Sequence, residues 1–259
     1  MNNRRSSNQR GRPKNPTQRR ADYETIIFEV KDGIATITMN RPAKEVGMPH
    51  PAHFKQLSLV LLLGSAWGLS EMLLGLGLHS CARLVSGSIM TAVALFFLAA
   101  GLAVTRRVEA AGLLVVMAVL FKLFDAALLS LPIRSGAVAN PIFAFATEAL
   151  ALVVLASALP AWKNAAKGRV PLGGASGLAS AAVFPLVGLV TGVPACLLPG
   201  TSLPLAWAFA PIAAGLSALT VPLGFAVGGK LAQKELKLAF LSPTAVLVSL
   251  AIMALVRLS

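Results

Sequence analysis

From residue 55 onward the chain reads as long apolar runs separated by short polar breaks. A hydrocarbon core of about 30 Å needs about 20 helical residues to cross. Runs of that length fall near 56–79, 86–105, 109–132, 141–160, 175–197, 204–228 and 240–258. The breaks between them are Arg106-Arg107, Pro132 to Pro141, Trp162 to Pro171, Pro199-Gly200 and Gly228 to Lys237. The pattern predicts an all-α fold, a polytopic helical membrane bundle of six to seven spans over residues 55–259. Runs 175–197 and 204–228 are rich in Gly and Pro, including Pro185, Pro194, Pro211 and Pro222. One of them is open to being broken or re-entrant, which is tolerated where protein or a cavity covers the backbone.

Residues 1–54 follow a different pattern and read as a basic cytoplasmic arm. Residues 1–20 carry seven Arg or Lys, no acid and no apolar run, which predicts disorder. No aromatic residue is interleaved for base stacking, so a solvated positive arm near anionic lipid is favoured over a nucleic-acid partner. In residues 22–42, apolar and polar positions roughly alternate. Thr25–Val30 and Ile34–Met39 read as two strands around a turn at Lys31-Asp32-Gly33.

Charge sharpens this division. Of 33 charged residues, 16 lie in the first 55 positions. Hydrophobic residues make up 56% of the chain and charged ones 13%, against about 25% charged in soluble domains. The net charge of +13 therefore reads as inward-facing loops and headgroup contacts. Arg106, Arg107, Lys163, Lys167, Arg169, Lys230, Lys234 and Lys237 fall on the side of the arm; Arg83, Arg134 and Arg257 fall opposite. By the positive-inside rule the arm side is cytoplasmic, and seven spans put the C-terminus outside. The expected location is a cell (inner) membrane, with the lipid bilayer as first partner. Trp162 suits the interfacial aromatic belt. Cys81 and Cys196 fall near outer helix ends, where a disulfide is open but free apolar thiols are favoured. No apolar h-region precedes the first run, so no cleavable signal peptide is expected.

Ionisable groups inside the runs carry the candidate chemistry. They are Glu71, Lys122, Asp125 and Glu148. Each costs about 2.5 kcal/mol or more at mid-bilayer, and such groups usually face a bundle interior or cavity. At 1.5 Å per residue, Glu71 sits about 12 Å, Lys122 about 15 Å, and Asp125 and Glu148 about 10 Å below the outer surface. All four fall in the outer half, as a polar pocket open to the outside would require. Lys122 and Asp125 are spaced to pair on one helix face. Gly64, Trp67, Gly68, Glu71, Gly75 and Leu78 share a face of the first run, flanked by His79. Gly64, Gly68 and Gly75 suit close helix packing, and Trp67 is either core or pocket wall. Three acids against one lysine leave a formal excess of two negatives. Either a cationic or hydroxyl-rich ligand compensates, or acids stay protonated. The bland alternative is a polar network that only fixes the bundle. His79-Ser80-Cys81 does not converge on a metal, and His50 and His53 read as ordinary cytoplasmic residues. No metal or cofactor is expected.

Two resemblances follow from these residues. The segment YETIIFEVKDGIATITMNRP resembles the opening hairpin of the enoyl-CoA hydratase (crotonase) family. It covers about 21 residues and stops at Pro42; no catalytic residue of that family has a counterpart here. Residues 1–47 are accordingly expected to be a fused or mis-joined fragment, with Met48 resembling a native start. In the membrane domain, Gly64-Ser65-Ala66-Trp67-Gly68-Leu69-Ser70-Glu71 with Gly75 and His79, then Lys122-Leu123-Phe124-Asp125, then Asn140-Pro141 with Glu148, resemble a pattern in bacterial membrane proteins. Those are similar to the substrate-binding S components of energy-coupling-factor (ECF) transporters. The resemblance implies a helical bundle holding a micronutrient near its outer face and docking on coupling and ATPase subunits. S components usually have six spans, one fewer than the seven runs counted here.

The chain has no Walker, GxSxG or zincin motif, so no enzymatic activity is expected, and transport would need a gradient or an external ATPase. The reading is a substrate-binding or transport protein for a small metabolite, with Glu71, Lys122, Asp125 and Glu148 in the pocket and Trp67 and His79 at its edge. The alternatives are a membrane enzyme or proton-handling protein using the same acids, and a structural or assembly protein without ligand.

Overall fold

Helices account for most of the described chain. The computed structural model describes residues 20–22, 26–31, 34–39, 51–77, 83–159, 166–192, 196–233 and 241–258. The chain divides into two units, residues 1–50 and 51–259. In the first, strands Arg20–Asp22 (β1), Ile26–Lys31 (β2) and Ile34–Met39 (β3) form an antiparallel sheet in the order β1-β2-β3. The β2–β3 register runs from Ile26 opposite Met39 to Lys31 opposite Ile34. The strands expected at Thr25–Val30 and Ile34–Met39 overlap β2 and β3, while Thr25 and the turn residues Asp32 and Gly33 lie outside the described residues. The disorder expected for residues 1–20 falls on residues outside the described ones, apart from Arg20 in β1.

The second unit is built from α1 (Pro51–Gly77), α2 (Arg83–Thr105), α3 (Glu109–Leu128), α4 (Gly136–Ala158), α5 (Ala166–Val183), α6 (Val187–Thr191), α7 (Leu205–Gln233) and α8 (Leu241–Leu258). Among the described residues, six stretches are long and apolar enough to cross a membrane; the fifth is α5 and α6 taken together, Lys167–Thr191. The protein is a polytopic helical membrane protein. The last apolar helix, Ser242–Leu258, is shorter and packs against α1 and α3. The faces follow the same logic. In α4, Phe145, Glu148, Leu152 and Ala156 are buried, while Leu150 and Val154 are exposed. Exposed leucine and valine suit lipid contact on one face, and the ionisable residue turns to the bundle interior on the other.

Three boundaries differ from the sequence expectation. Pro141 and Pro171 are inside α4 and α5 rather than in the breaks, and Lys167 and Arg169 belong to the start of α5 instead of a loop. Each proline sits within the first two turns, where its missing N–H removes one bond, to Ala137 or Lys167. The run expected at 175–197 accordingly begins earlier. It is broken at a 3-10 turn, Phe184–Leu186, that carries Pro185, and α6 ends at Gly192 with φ 74°. Gly228 is likewise no terminator, because α7 continues to Gln233.

Close backbone approach holds the bundle together. α7 lies against α2 and α5, and α1 against α3, α8 and α2. A Cβ on Gly64 would come 2.6 Å from Met117 Cβ, and one on Gly68 would overlap the Phe121 ring. These two glycines pack α1 on α3 as expected. Gly75 does not, since a Cβ there meets nothing within 4 Å; it lies beyond the contact with α3. Gly68→Ala should therefore cost about 1–3 kcal/mol through overpacking, whereas Gly75→Ala should be neutral or slightly stabilising. Paired thermal-unfolding curves in detergent check this, and equal effects would contradict it.

The helices alternate in direction, so one end of the bundle gathers the end of α1, the start of α2, the end of α3, the start of α4, the end of α5 and the start of α7. Arg257 near the end of α8 reaches Asp125 near the end of α3. Lys55 at the start of α1 donates to the Ala232 carbonyl at the end of α7, 3.1 Å away, at the opposite end. Arg106, Arg107, Lys167, Arg169 and Lys230 belong to that opposite end too.

Candidate functional site

Small and β-branched residues let five helices converge without filling the space between them. At the α1-terminal end they enclose a cavity of about 300 Å³. α1 contributes Glu71; α2 contributes Ser86, Gly87, Met90 and Thr91. α4 contributes Asn140, Phe145, Thr147 and Glu148, and α5 Ser180 and Ala181. Phe184 at the helix break, Cys196 in the loop before α7, and Leu205 and Phe209 of α7 complete the wall. The loop is pinned by two backbone bonds, Leu198 N–H to the Leu203 carbonyl and Leu205 N–H to the Cys196 carbonyl, both 2.9 Å. Cys196 is a free thiol.

Two carboxyls stand on this cavity wall among hydroxyl, amide and thiol groups. Glu148 is 4% exposed, and its Oε2 is buried with no hydrogen-bond partner. Asn140 Oδ1 is in the same condition. Thr91 and Glu71 are the neighbours of the Glu148 carboxyl. The Thr147 hydroxyl is committed to the Ala144 carbonyl at 2.9 Å, and the Ser180 hydroxyl to the Gly177 carbonyl at 3.1 Å. Neither is left over to donate to the carboxyls. A buried polar group without a partner is costly, and here two such oxygens line one cavity. The aromatic rings Phe145, Phe184 and Phe209 supply the apolar part of its wall.

Lys122 and Asp125 form a second, separate group. Their pairing is present, with Lys122 Nζ 3.3 Å from Asp125 Oδ2. The principal partner of Asp125 is Arg257, whose Nε and Nη2 donate to its two oxygens at 2.7 and 3.1 Å. Asp125 does not line the main cavity. With Lys122, Gly68 and Met253 it lines a void of only about 10 Å³, and Glu71 stands between the two spaces. The formal excess of two negatives counted in the sequence falls to one, because Arg257 belongs to the cluster and not to a loop.

The remaining expected site residues divide three ways. Trp67 is fully buried and backs the cavity rather than lining it, its ring 5.1 Å from that of Phe145 in an edge arrangement. Its indole Nε1 has no hydrogen bond of good geometry, although Glu71, one turn on, is the carboxyl it approaches. His79 lies outside the described residues, as does Cys81. Glu71 and Glu148 line the same cavity. Sequence reasoning missed Thr91, Phe184, Phe209 and Arg257. Of these only Arg257 left a signal, as a lone charge close to the end of an apolar run.

Among the described residues no group of three or more His, Cys, Asp or Glu side chains gathers to hold a metal ion. The chain matches no family model, no curated protein and no solved structure.

Proposed function

We propose that this membrane protein binds a small metabolite in the cavity between α1, α2, α4, α5 and α7, as the binding component of an uptake system. The observation that carries the reading is the buried, unpartnered Glu148 Oε2 on the wall of a space of about 300 Å³. That volume is in the range of small-molecule sites, which combine apolar walls with a few convergent polar groups. The positive-inside rule turns the cavity end outward, because Arg106, Arg107, Lys167, Arg169 and Lys230 belong to the other end. An outward cavity suits capture from outside the cell. The S-component resemblance of Glu71, Lys122, Asp125, Asn140 and Glu148 agrees with this role, and it adds an ATPase and coupling subunit as the partners that would drive release.

The test is native mass spectrometry of the full chain purified in a mild detergent. The wild type should carry a bound small molecule, and Glu148→Ala should lose it while keeping its elution volume and melting temperature. If the wild type and Glu148→Ala are both free of ligand and the variant instead abolishes proton flux in vesicles, the proton-handling alternative replaces this reading.

A further inference from the structure

Resting on that reading, we infer that the ligand is a monovalent organic cation, an ammonium group carried on an apolar body. The cavity's charged lining groups among the described residues are Glu71 and Glu148; no Lys, Arg or His lines it. Two cations belong to the neighbouring Asp125 cluster. Arg257 is occupied by Asp125 through two hydrogen bonds, and Lys122 is shared between Asp125 and the far side of Glu71. Across both groups, three carboxyls meet two cations among the described residues, and the unpartnered carboxyl oxygen is on the Glu148 side.

The hydrogen-bonding pattern selects the same chemistry. Glu148 Oε2 and Asn140 Oδ1 are buried acceptors without donors, and an ammonium brings up to three donors and no acceptor. An anion or a carboxylic acid would face two carboxyls with no cation on the wall. The three phenylalanine rings accept either an apolar chain or the face of a cation. An ammonium on an apolar body could come from a free amine or from an aminophospholipid headgroup. The shared chemistry is the inference, and the mass of the bound species separates the sources.

The experiment uses the full chain in phosphatidylglycerol nanodiscs, which contain no amine lipid. Three probes of similar body are titrated by calorimetry: 4-phenylbutylammonium, 4-phenylbutanol and 4-phenylbutanoate. The ammonium should bind at least tenfold more tightly than either of the others, and Glu148→Gln should reduce its affinity at least tenfold with the melting temperature retained. Should Glu148→Gln fail to fold, Glu71→Gln provides the same readout from the other carboxyl. Equal or tighter binding of the alcohol or the carboxylate overturns the inference and leaves the binding reading standing. If no probe binds, the charge of the molecule that co-purifies decides: a cation supports the inference, a neutral or anionic species overturns it. If no probe binds and nothing co-purifies, both the inference and the binding reading fall.

Discussion

Asp125→Ala is expected to destabilise the bundle by about 3–5 kcal/mol, the cost of removing one partner from a buried ion pair. The carboxylate is 3% exposed and the side chains it neutralises, Arg257 and Lys122, are 15% and 21% exposed. Arg257 would be left in a low-dielectric setting with no counter-charge and would lose two hydrogen bonds at once, while Lys122 would keep only Glu71 as its neighbouring acid. Because Arg257 is on α8 and Asp125 on α3, the variant should free the last helix first. Arg257→Met should cost less, about 1–2 kcal/mol, since Lys122 still neutralises Asp125. The double variant Asp125→Leu with Arg257→Met should recover much of the loss, as apolar replacement of buried pairs often does. Chemical unfolding in micelles across this double-mutant cycle supplies the numbers. A loss below about 0.5 kcal/mol for Asp125→Ala, the scale of an exposed pair, would mean that the cluster is hydrated and not structural. In either case the double variant should still bind ligand, because Asp125 and Arg257 do not line the cavity.

Replacing both Gly224 and Gly228 by leucine should abolish a folded, monodisperse protein. A Cβ at Gly224 would collide with the Phe96 carbonyl oxygen, and one at Gly228 with the Ala100 carbonyl oxygen. Those atoms are backbone and cannot rotate away. The α2–α7 contact would have to open along its length, breaking the bond of 2.7 Å from the Thr220 hydroxyl to the Ala92 carbonyl. In a bilayer, lipid offers apolar side chains as good a setting as protein does, so helix association rests on such close packing and hydrogen bonding. Single Gly→Ala changes should cost about 1–3 kcal/mol each. Gly229 is the control: it is next in sequence, yet a Cβ there meets nothing within 4 Å. Gly229→Ala should be neutral or gain up to about 1 kcal/mol of helix propensity. Gel filtration and unfolding curves of the four variants read this out. Equal tolerance of substitution at 228 and 229 would contradict the packing account.

The bundle was largely legible in the sequence because a span is a property of one continuous run. Its length and its charge-free interior are written locally. Boundaries were less legible where a residue that often ends helices serves another purpose. Gly228 looks like a break but is pressed against α2, and Pro141 and Pro171 fall where an early turn loses one bond. Gly75 shared a face with Gly64 and Gly68, yet periodicity alone could not tell that α3 ends its contact before reaching it.

The site was legible in part, and for a related reason. Depth along each run brought Glu71 and Glu148 to the same level, and helix spacing paired Lys122 with Asp125. The bond between Arg257 and Asp125 spans 132 positions, and no local pattern encodes a partner at that distance. Phe184 and Phe209 were invisible for a different reason. In a membrane protein, a phenylalanine facing lipid and one facing a ligand cavity occupy the same kind of apolar run. What distinguishes them is the three-dimensional neighbour, in this case an unsatisfied carboxyl.

On the proposed function, the space around Glu148 is a binding site and not a packing defect. A high-resolution experimental map of the full chain, purified without added ligand-like additives, tests it most directly. The account predicts non-protein density beside Glu148, with donor atoms about 3 Å from Glu148 Oε2 and Asn140 Oδ1. A cavity collapsed around its own side chains, with Glu148 paired to a protein donor, would contradict it.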